Sequence, residues 1–246
     1  MRTAEHSAVQ FGRTAIPYRI LRGRRQKTVA ITIDPQDGVL LRAPVATSVE
    51  KLDEIVHGKA IWILERLRKL RDLPPPPSPR RFVSGETFLY LGRQYRLRVE
   101  TLGESPGEVR LRSGWLVVGL PAETPEEKRA GVVRQRLVAW YRRHAAERFP
   151  ERVEQWSERL ALAPAGVLIR SQEKRWASCD PAGVLRFNWR VVQAPLRLVD
   201  YVVVHELIHL VHPDHTSSYW AALGQALPDY EERRDALRKI GARLVW

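Results

Sequence analysis

The chain has 246 residues, 44% of them hydrophobic, which suffices for one large domain or two small ones with a real core. Its formal charge is +13, and no stretch approaches the roughly 18 uninterrupted apolar residues of a membrane span. The opening segment, Met1 to Ile20, lacks the apolar run of a secretory signal, so a cytoplasmic protein with no membrane partner is expected, its oligomeric state left open.

Strand-like alternation covers Ile16 to Arg22, recurs over Thr28 to Ile33, and returns over Gly38 to Pro44 after a turn. Ser48 offers a cap for one helix, in which Leu52, Ile55, Val56, Ile61, Ile63 and Leu67 recur near helical spacing. That helix stops before Pro74-Pro75-Pro76-Pro77-Ser78-Pro79, which reads as a stiff, extended connector. Thr87 to Val99 reads as two short strands around Gly92, and Val109 to Leu111 with Trp115 to Val118 as a hairpin turning at Ser113-Gly114. From Thr124 an amphipathic helix runs to about Phe149, with Pro125 in its first turn and Glu126 and Glu127 at its positive end. A second helix, Glu151 to Leu162, ends at Pro164, and strands Val167 to Ser171 and Val184 to Asn188 follow. Pro195 opens a helix from Leu196 to about Val211, and helices Ser217 to Leu227 and Tyr230 to Arg243 close the chain. No internal repeat is visible. The expected class is α+β: a β-rich region with one helix over 14–122, then a mostly helical domain with a short β-sheet over 123–246.

The chemistry concentrates at His205-Glu206-Leu207-Ile208-His209. Residues four apart on a helix sit one turn above one another, so both imidazoles leave one face and can share a metal. Glu206, 100° away from His205, can reach a water on that metal without becoming a ligand. This is the H-E-x-x-H arrangement of zinc hydrolases, in which the metal acidifies water and the glutamate takes its proton. A five-residue pattern also arises by chance, but Val199, Val202, Val203 and Ile208 give this helix the apolar setting that a rigid metal platform needs. Cys179 is the single cysteine, which excludes an internal disulfide and a cysteine-rich zinc site and suits a reducing compartment. A catalytic zinc usually has three protein ligands, and His212 and His215 remain as candidates for the third. Pro213 disfavours helical geometry at His212, and a turn at Pro213-Asp214 could swing His215 back over the metal; spacing alone leaves both open.

Several segments together resemble the YgjP-like metallopeptidase family, related to SprT-like and WLM proteases. They are Arg175-Trp176-Ala177-Ser178-Cys179, Phe187-Asn188-Trp189-Arg190, Ala194-Pro195, Asp200 to Leu210, Asp214-His215-Thr216 and Tyr219-Trp220. The strand Arg22 to Ile33, Trp62 and the turn Leu91 to Tyr95 also fit, so the resemblance spans nearly the whole chain. It implies a zincin-like helical half, a Zn2+ cofactor held by His205, His209 and His215, Glu206 as catalytic base, and a protein or peptide substrate. The chain departs from the family pattern at Ala177, usually Gly, at Asp214, often Asn, and at Thr216 and Tyr219, usually Ser and Phe.

Other residues carry two readings each. Arg175 could steady an oxyanion or form an ion pair with Asp200, which itself could support the site or favour the first helical turn. Cys179 reads as a small hydrophobe, and Trp176, Trp189 and Trp220 as core. Arginine runs such as Arg22-Gly23-Arg24-Arg25, Arg66-Leu67-Arg68-Lys69 and Arg80-Arg81 suit phosphate contacts or a solvated surface. The resemblance adds that SprT-like relatives act on DNA-bound proteins. The functional expectation is a zinc-dependent peptidase. Its rivals are a zinc hydrolase of another amide or ester and a basic nucleic-acid-binding protein with a structural zinc.

Overall fold

Hairpins with a buried and an open face build the N-terminal half, and long helices build the rest. The computed structural model describes residues 5–23, 26–34, 38–71, 78–102 and 108–246; Arg24, Arg25 and the Pro74 to Pro77 part of the connector lie outside them. Contacts divide the chain into two units, Met1–Pro75 and Pro76–Trp246.

In the first unit, β1 (Glu5–Phe11), β2 (Thr14–Arg22), β3 (Ala30–Asp34) and β4 (Gly38–Ala43) form a sheet of order β1-β2-β4-β3. Two antiparallel hairpins meet through parallel inner strands, with Tyr18 opposite Val39. Ile16, Tyr18, Ile20, Val39, Leu41 and Ala43 are buried against helical residues Leu52, Val56 and Ile63. Strand β1 was absent from the expected elements because Val9 is its one buried residue, so it lacks a clear apolar alternation. The single expected helix is two, α1 (Val49–Gly58) and α2 (Ala60–Arg71), separated at Lys59, whose backbone leaves the helical region. Gly58 is a weak helix former, and the buried set continues in phase through Ala60 and Ile63.

The second unit opens on the same plan. Strands β5 (Thr87–Tyr90), β6 (Arg93–Leu102), β7 (Arg110–Arg112) and β8 (Trp115–Pro121) take the order β5-β6-β8-β7, again with parallel inner strands. Topology thus recurs where the sequence shows no repeat, because a pleated hairpin needs alternation and turn chemistry rather than particular residues. The inner face, with Phe88, Leu97, Leu116 and Val118, shares a core with Val133, Leu137 and Tyr141 of α3 (Glu126–Leu160). This sheet therefore packs with the helical half, within the unit Pro76–Trp246.

Helix α3 runs for 35 residues straight through Pro150, where two helices were expected. Pro150 cannot donate to the carbonyl of Ala146, a defect of about 3 kcal/mol in a helix interior. The buried residues Val133, Leu137, Tyr141, Ala145, Phe149 and Val153 nevertheless keep a spacing of four across it. Each fully buried apolar side chain returns about 1.5–3 kcal/mol, and Phe149 also stacks on Phe187 with centroids 4.5 Å apart. Continuity wins.

A small sheet of order β10-β11-β9 follows, from β9 (Gly166–Arg170), β10 (Ala177–Cys179) and β11 (Val184–Asn188), and then α4 (Leu196–Ile208), α5 (Ser217–Ala226) and α6 (Tyr230–Leu244). Among the described residues no helix is long and apolar enough to cross a membrane. The fold is α+β, strands first and helices last.

The β5–β6 turn docks on the start of α4. Leu91 and Gly92 donate backbone hydrogen bonds to the carbonyls of Val192 and Gln193, at 2.9 and 3.1 Å. Gly92 has φ +80°, and a Cβ there would lie 2.8 Å from the Pro195 backbone. Gly92→Ala therefore combines backbone strain with overpacking, and should cost at least about 2 kcal/mol, read as a lowered urea midpoint. An unchanged midpoint would show that the turn does not anchor α4.

Candidate metal centre

Helix α4 is buried on nearly every side: Leu198 to Val204 and Glu206 to Ile208 all lie inside the protein. The charged member of the first group, Asp200, accepts a 2.6 Å hydrogen bond from Arg152 Nε of α3, and both side chains are mostly shielded. The Asp200 partner is thus Arg152, the alternative to the Arg175 pairing considered from sequence. A helix held this way presents His205 and His209 one turn apart with little freedom to rotate.

His209 ends α4 in helical geometry, φ −63° and ψ −17°, so its ring stays on the helix face. The amides of Leu210, Val211 and His212 then turn back onto the Leu207 and Ile208 carbonyls. After Pro213, Thr216 N–H donates to the Asp214 carbonyl at 2.8 Å, and His215 returns to the helix. Its Nε2 lies 3.1 Å from His205 Nε2, and one ring nitrogen from each of His205, His209 and His215 lies within 4.8 Å of the others. The His212 imidazole is not part of this group. Its carbonyl instead lies 3.0 Å from His209 Nδ1; the ring N–H donates there, which leaves Nε2 with its lone pair.

Tyr219, on the first turn of α5, underlies the cluster. Its ring stacks on His209 at 4.6 Å and meets His215 at 4.6 Å and His205 at 5.3 Å, while its hydroxyl donates to the His205 carbonyl at 3.1 Å. Trp220 stacks on His215 at 5.4 Å. Tyr219 was read from sequence only as part of a motif; its helical spacing of four from His215 was the available signal.

Burial sets the electrostatics. It pushes His205 down to about 3, helped by His209 and His215, and it lowers His215 as well. Both imidazoles are therefore neutral near pH 7 and offer lone pairs. His205 Nδ1 is buried without a hydrogen-bond partner. Three converging imidazole nitrogens, with no thiolate among them, fit a first-row divalent ion such as zinc and would leave one position open. Cys179 stands outside the cluster. Burial, followed by the charges of Glu206 and Asp180, pushes its thiol up, so it keeps its proton.

Glu206 is 5% exposed. Burial raises its carboxyl to about 7, against the opposing effects of the Cys179 amide, which donates to it, and of the Arg175 charge. Strand β10, not anticipated from sequence, thus supplies a backbone donor to the carboxylate. The loop before it is pinned by buried Asn188, whose Nδ2 donates to the carbonyls of Gln172 and Arg175 at 2.7 and 3.2 Å. A cavity of about 400 Å³ opens beside Glu206 and His205, with Arg175, Trp176 and Tyr201 in its wall. Trp189 lies in the core, as expected, whereas Trp176 and Trp220 are partly exposed at the site.

The family model for the YgjP-like metallopeptidase domain matches residues 27–240. The class is therefore that of the metal-dependent peptidases. Within it, the chain belongs to the YgjP-like family. No curated protein sequence matches the chain. Among solved structures, the chain is similar to the metallopeptidase zymogen abylysin of Pyrococcus abyssi, at 22% identity over 38% of this chain and 95% of that one, with a TM-score of 0.35. It is similar in the same way to the zymogen jannalysin of Methanocaldococcus jannaschii, at 22% identity over 39% and 97%, with a TM-score of 0.34.

The raised carboxyl has a stability consequence. Between its usual value of 4.5 and about 7, the unfolded chain releases the Glu206 proton while the folded chain keeps it. Stability therefore falls as pH rises through this window. In chelator-treated protein, Glu206→Gln lacks that loss and should exceed wild type at pH 8 by up to about 3 kcal/mol, with little gain at pH 4.5. Thermal unfolding at the two pH values reads this difference; parallel curves for the two proteins would reject the burial cost.

Proposed function

We propose that this protein is a zinc metallopeptidase in which His205, His209 and His215 hold the ion and Glu206 is the general base. The observation that carries this reading is the meeting of three ring nitrogens within 4.8 Å beside a buried carboxyl tuned to about 7. Zinc, when bound, supplies Lewis acidity to a carbonyl and to water. The residues of the chain do the rest. Glu206, buried beside the histidines, accepts a proton from the attacking water and returns it to the departing amine. Tyr219 and the His212 carbonyl hold the rings in place, and the Arg152–Asp200 pair holds the helix.

A structural zinc would normally be closed by a fourth protein ligand. The nearby thiol of Cys179 keeps its proton and stands apart from the cluster, which favours an open, catalytic position. Membership in a peptidase family favours a peptide bond over another amide or an ester.

Zinc content by mass spectrometry and cleavage of an unfolded protein test this assignment together. Glu206→Gln should retain zinc and lose activity by about 10²–10⁴-fold. His215→Ala should lose zinc and His212→Ala should keep it. Full activity in Glu206→Gln would refute the general-base role.

A second reading, contact with nucleic acid, is favoured by the outer face of the β5–β8 sheet. Arg96 and Arg112 flank Trp115, and Arg98 and Arg110 flank Val117; Arg98, Arg110 and Arg112 line a groove of about 320 Å³ together with Trp115 and with Glu100, which pairs with Arg98 at 2.9 Å. Guanidinium groups suit phosphates and an indole suits stacked bases. If single-stranded DNA binds there, affinity should fall steeply with salt, and replacing Arg98, Arg110 and Arg112 by alanine should reduce the slope of log K against log[salt] by about 2–3. Salt-independent binding, or an unchanged slope in the variant, removes this reading.

A further inference from the structure

The cavity of about 400 Å³ beside the histidines carries three guanidinium groups: Arg175 from the loop before β10, and Arg234 and Arg238 from α6. The carboxylate in the same lining is that of Glu206. Arg234 and Arg238 are four residues apart and share one helix face. Their acidic neighbours compete weakly. Glu231 lies 3.5 Å from Arg234 and Asp235 lies 3.3 Å from Arg238, and these carboxylates are 69% and 51% exposed, so water screens both pairs. Arg234 is further steadied over the Trp220 ring, 5.6 Å from its centroid. Three guanidinium-bearing side chains thus face one carboxylate in the lining, an excess of positive charge that an anionic group would balance.

We propose that this cavity is a carboxylate-binding subsite, selecting peptides that carry an Asp or Glu side chain, or a free C-terminal carboxylate, next to the cleaved bond. The proposal rests on the peptidase reading, because the cavity adjoins His205 and Glu206 and a group lodged there belongs to a residue flanking the reacting carbonyl. Arginine forks match a carboxylate in two parallel hydrogen bonds, which lysine does not do. Trp176 and Leu237 in the wall would cover the methylenes of the bound residue. A neutral side chain of equal size would forgo the charge-assisted hydrogen bonds to these guanidinium groups, and a basic one would be repelled.

The test uses zinc-loaded full-length protein and matched peptides with Glu, Gln or Lys at the residue flanking the cleaved bond, each with a free or an amidated C-terminus. In wild type, kcat/KM for Glu should exceed that for Gln by at least about tenfold, with Lys poorest. An advantage that follows the free C-terminus instead identifies the terminal carboxylate as the group bound. The double variant Arg234→Gln, Arg238→Gln should bring the Glu-to-Gln ratio towards one, and Arg238→Glu should turn the preference towards Lys. Calorimetric titration of Glu206→Gln with the same peptides reads binding without turnover and should give the same ranking. If no peptide is cleaved but the ranking in binding persists, the peptidase reading falls and the carboxylate subsite stands. Equal kcat/KM and equal binding across all peptides would overturn the subsite and leave the peptidase reading intact.

Discussion

The geometry of the candidate metal centre depends on helix α4 being enclosed by protein. An isolated helix with two histidines a turn apart would hold them as solvated, partly protonated bases with free rotamers. Here the helix is surrounded by α3, α6 and β10, and exclusion of water acts on two residue types in opposite directions of pKa but towards one end. It lowers His205 and His215 and raises Glu206, since in each case the charged form loses its hydration. The same desolvation thus leaves neutral imidazoles at His205 and His215 and a carboxyl raised towards neutrality at Glu206. Enclosure has a cost, because buried groups that lack partners destabilise the fold. Asp200 meets it through Arg152, whereas His205 Nδ1 and Arg238 Nε remain without partners at the site.

Much of the second unit serves to keep that helix in place. Helix α3 carries Arg152 beyond Pro150, so the ion pair exists only because the helix does not stop there. The β5–β6 turn presses Gly92 against Pro195 at the helix start. At the same end, buried Gln193 joins the Leu244 carbonyl to the Trp246 indole, tying the C-terminal segment to the turn that precedes α4. Strand β10 closes the remaining side and donates an amide to Glu206.

The features legible in sequence are local ones. The His205–His209 spacing is a property of one helix, the period-2 strands β2, β4, β5 and β6 show in their own alternation, and Pro213 announces a turn. What escaped notice depended on distant contacts. β10 is three residues long and owes its strand geometry to pairing with β11. β1 buries little and is held by β2. Pro150 signals a helix end by every local rule, yet burial of Phe149 and Val153 carries the helix across it. Spacing alone left His212 beside His215; the difference arises because the turn after Pro213 returns His215 to the helix while the His212 carbonyl is engaged by His209.

By itself the sequence determined the α+β order of elements, the helix that presents His205, Glu206 and His209 on neighbouring faces, and the exclusion of a cysteine-rich site. These follow from dihedral periodicity and residue chemistry, which act over a few residues. The tertiary structure decided which histidine joins the pair, which partner neutralises Asp200, that Tyr219 underlies the rings, and that Arg175, Arg234 and Arg238 from separate segments share a cavity. Those outcomes rest on the approach of residues far apart in the chain and on the removal of water between them, and neither quantity is written in local spacing.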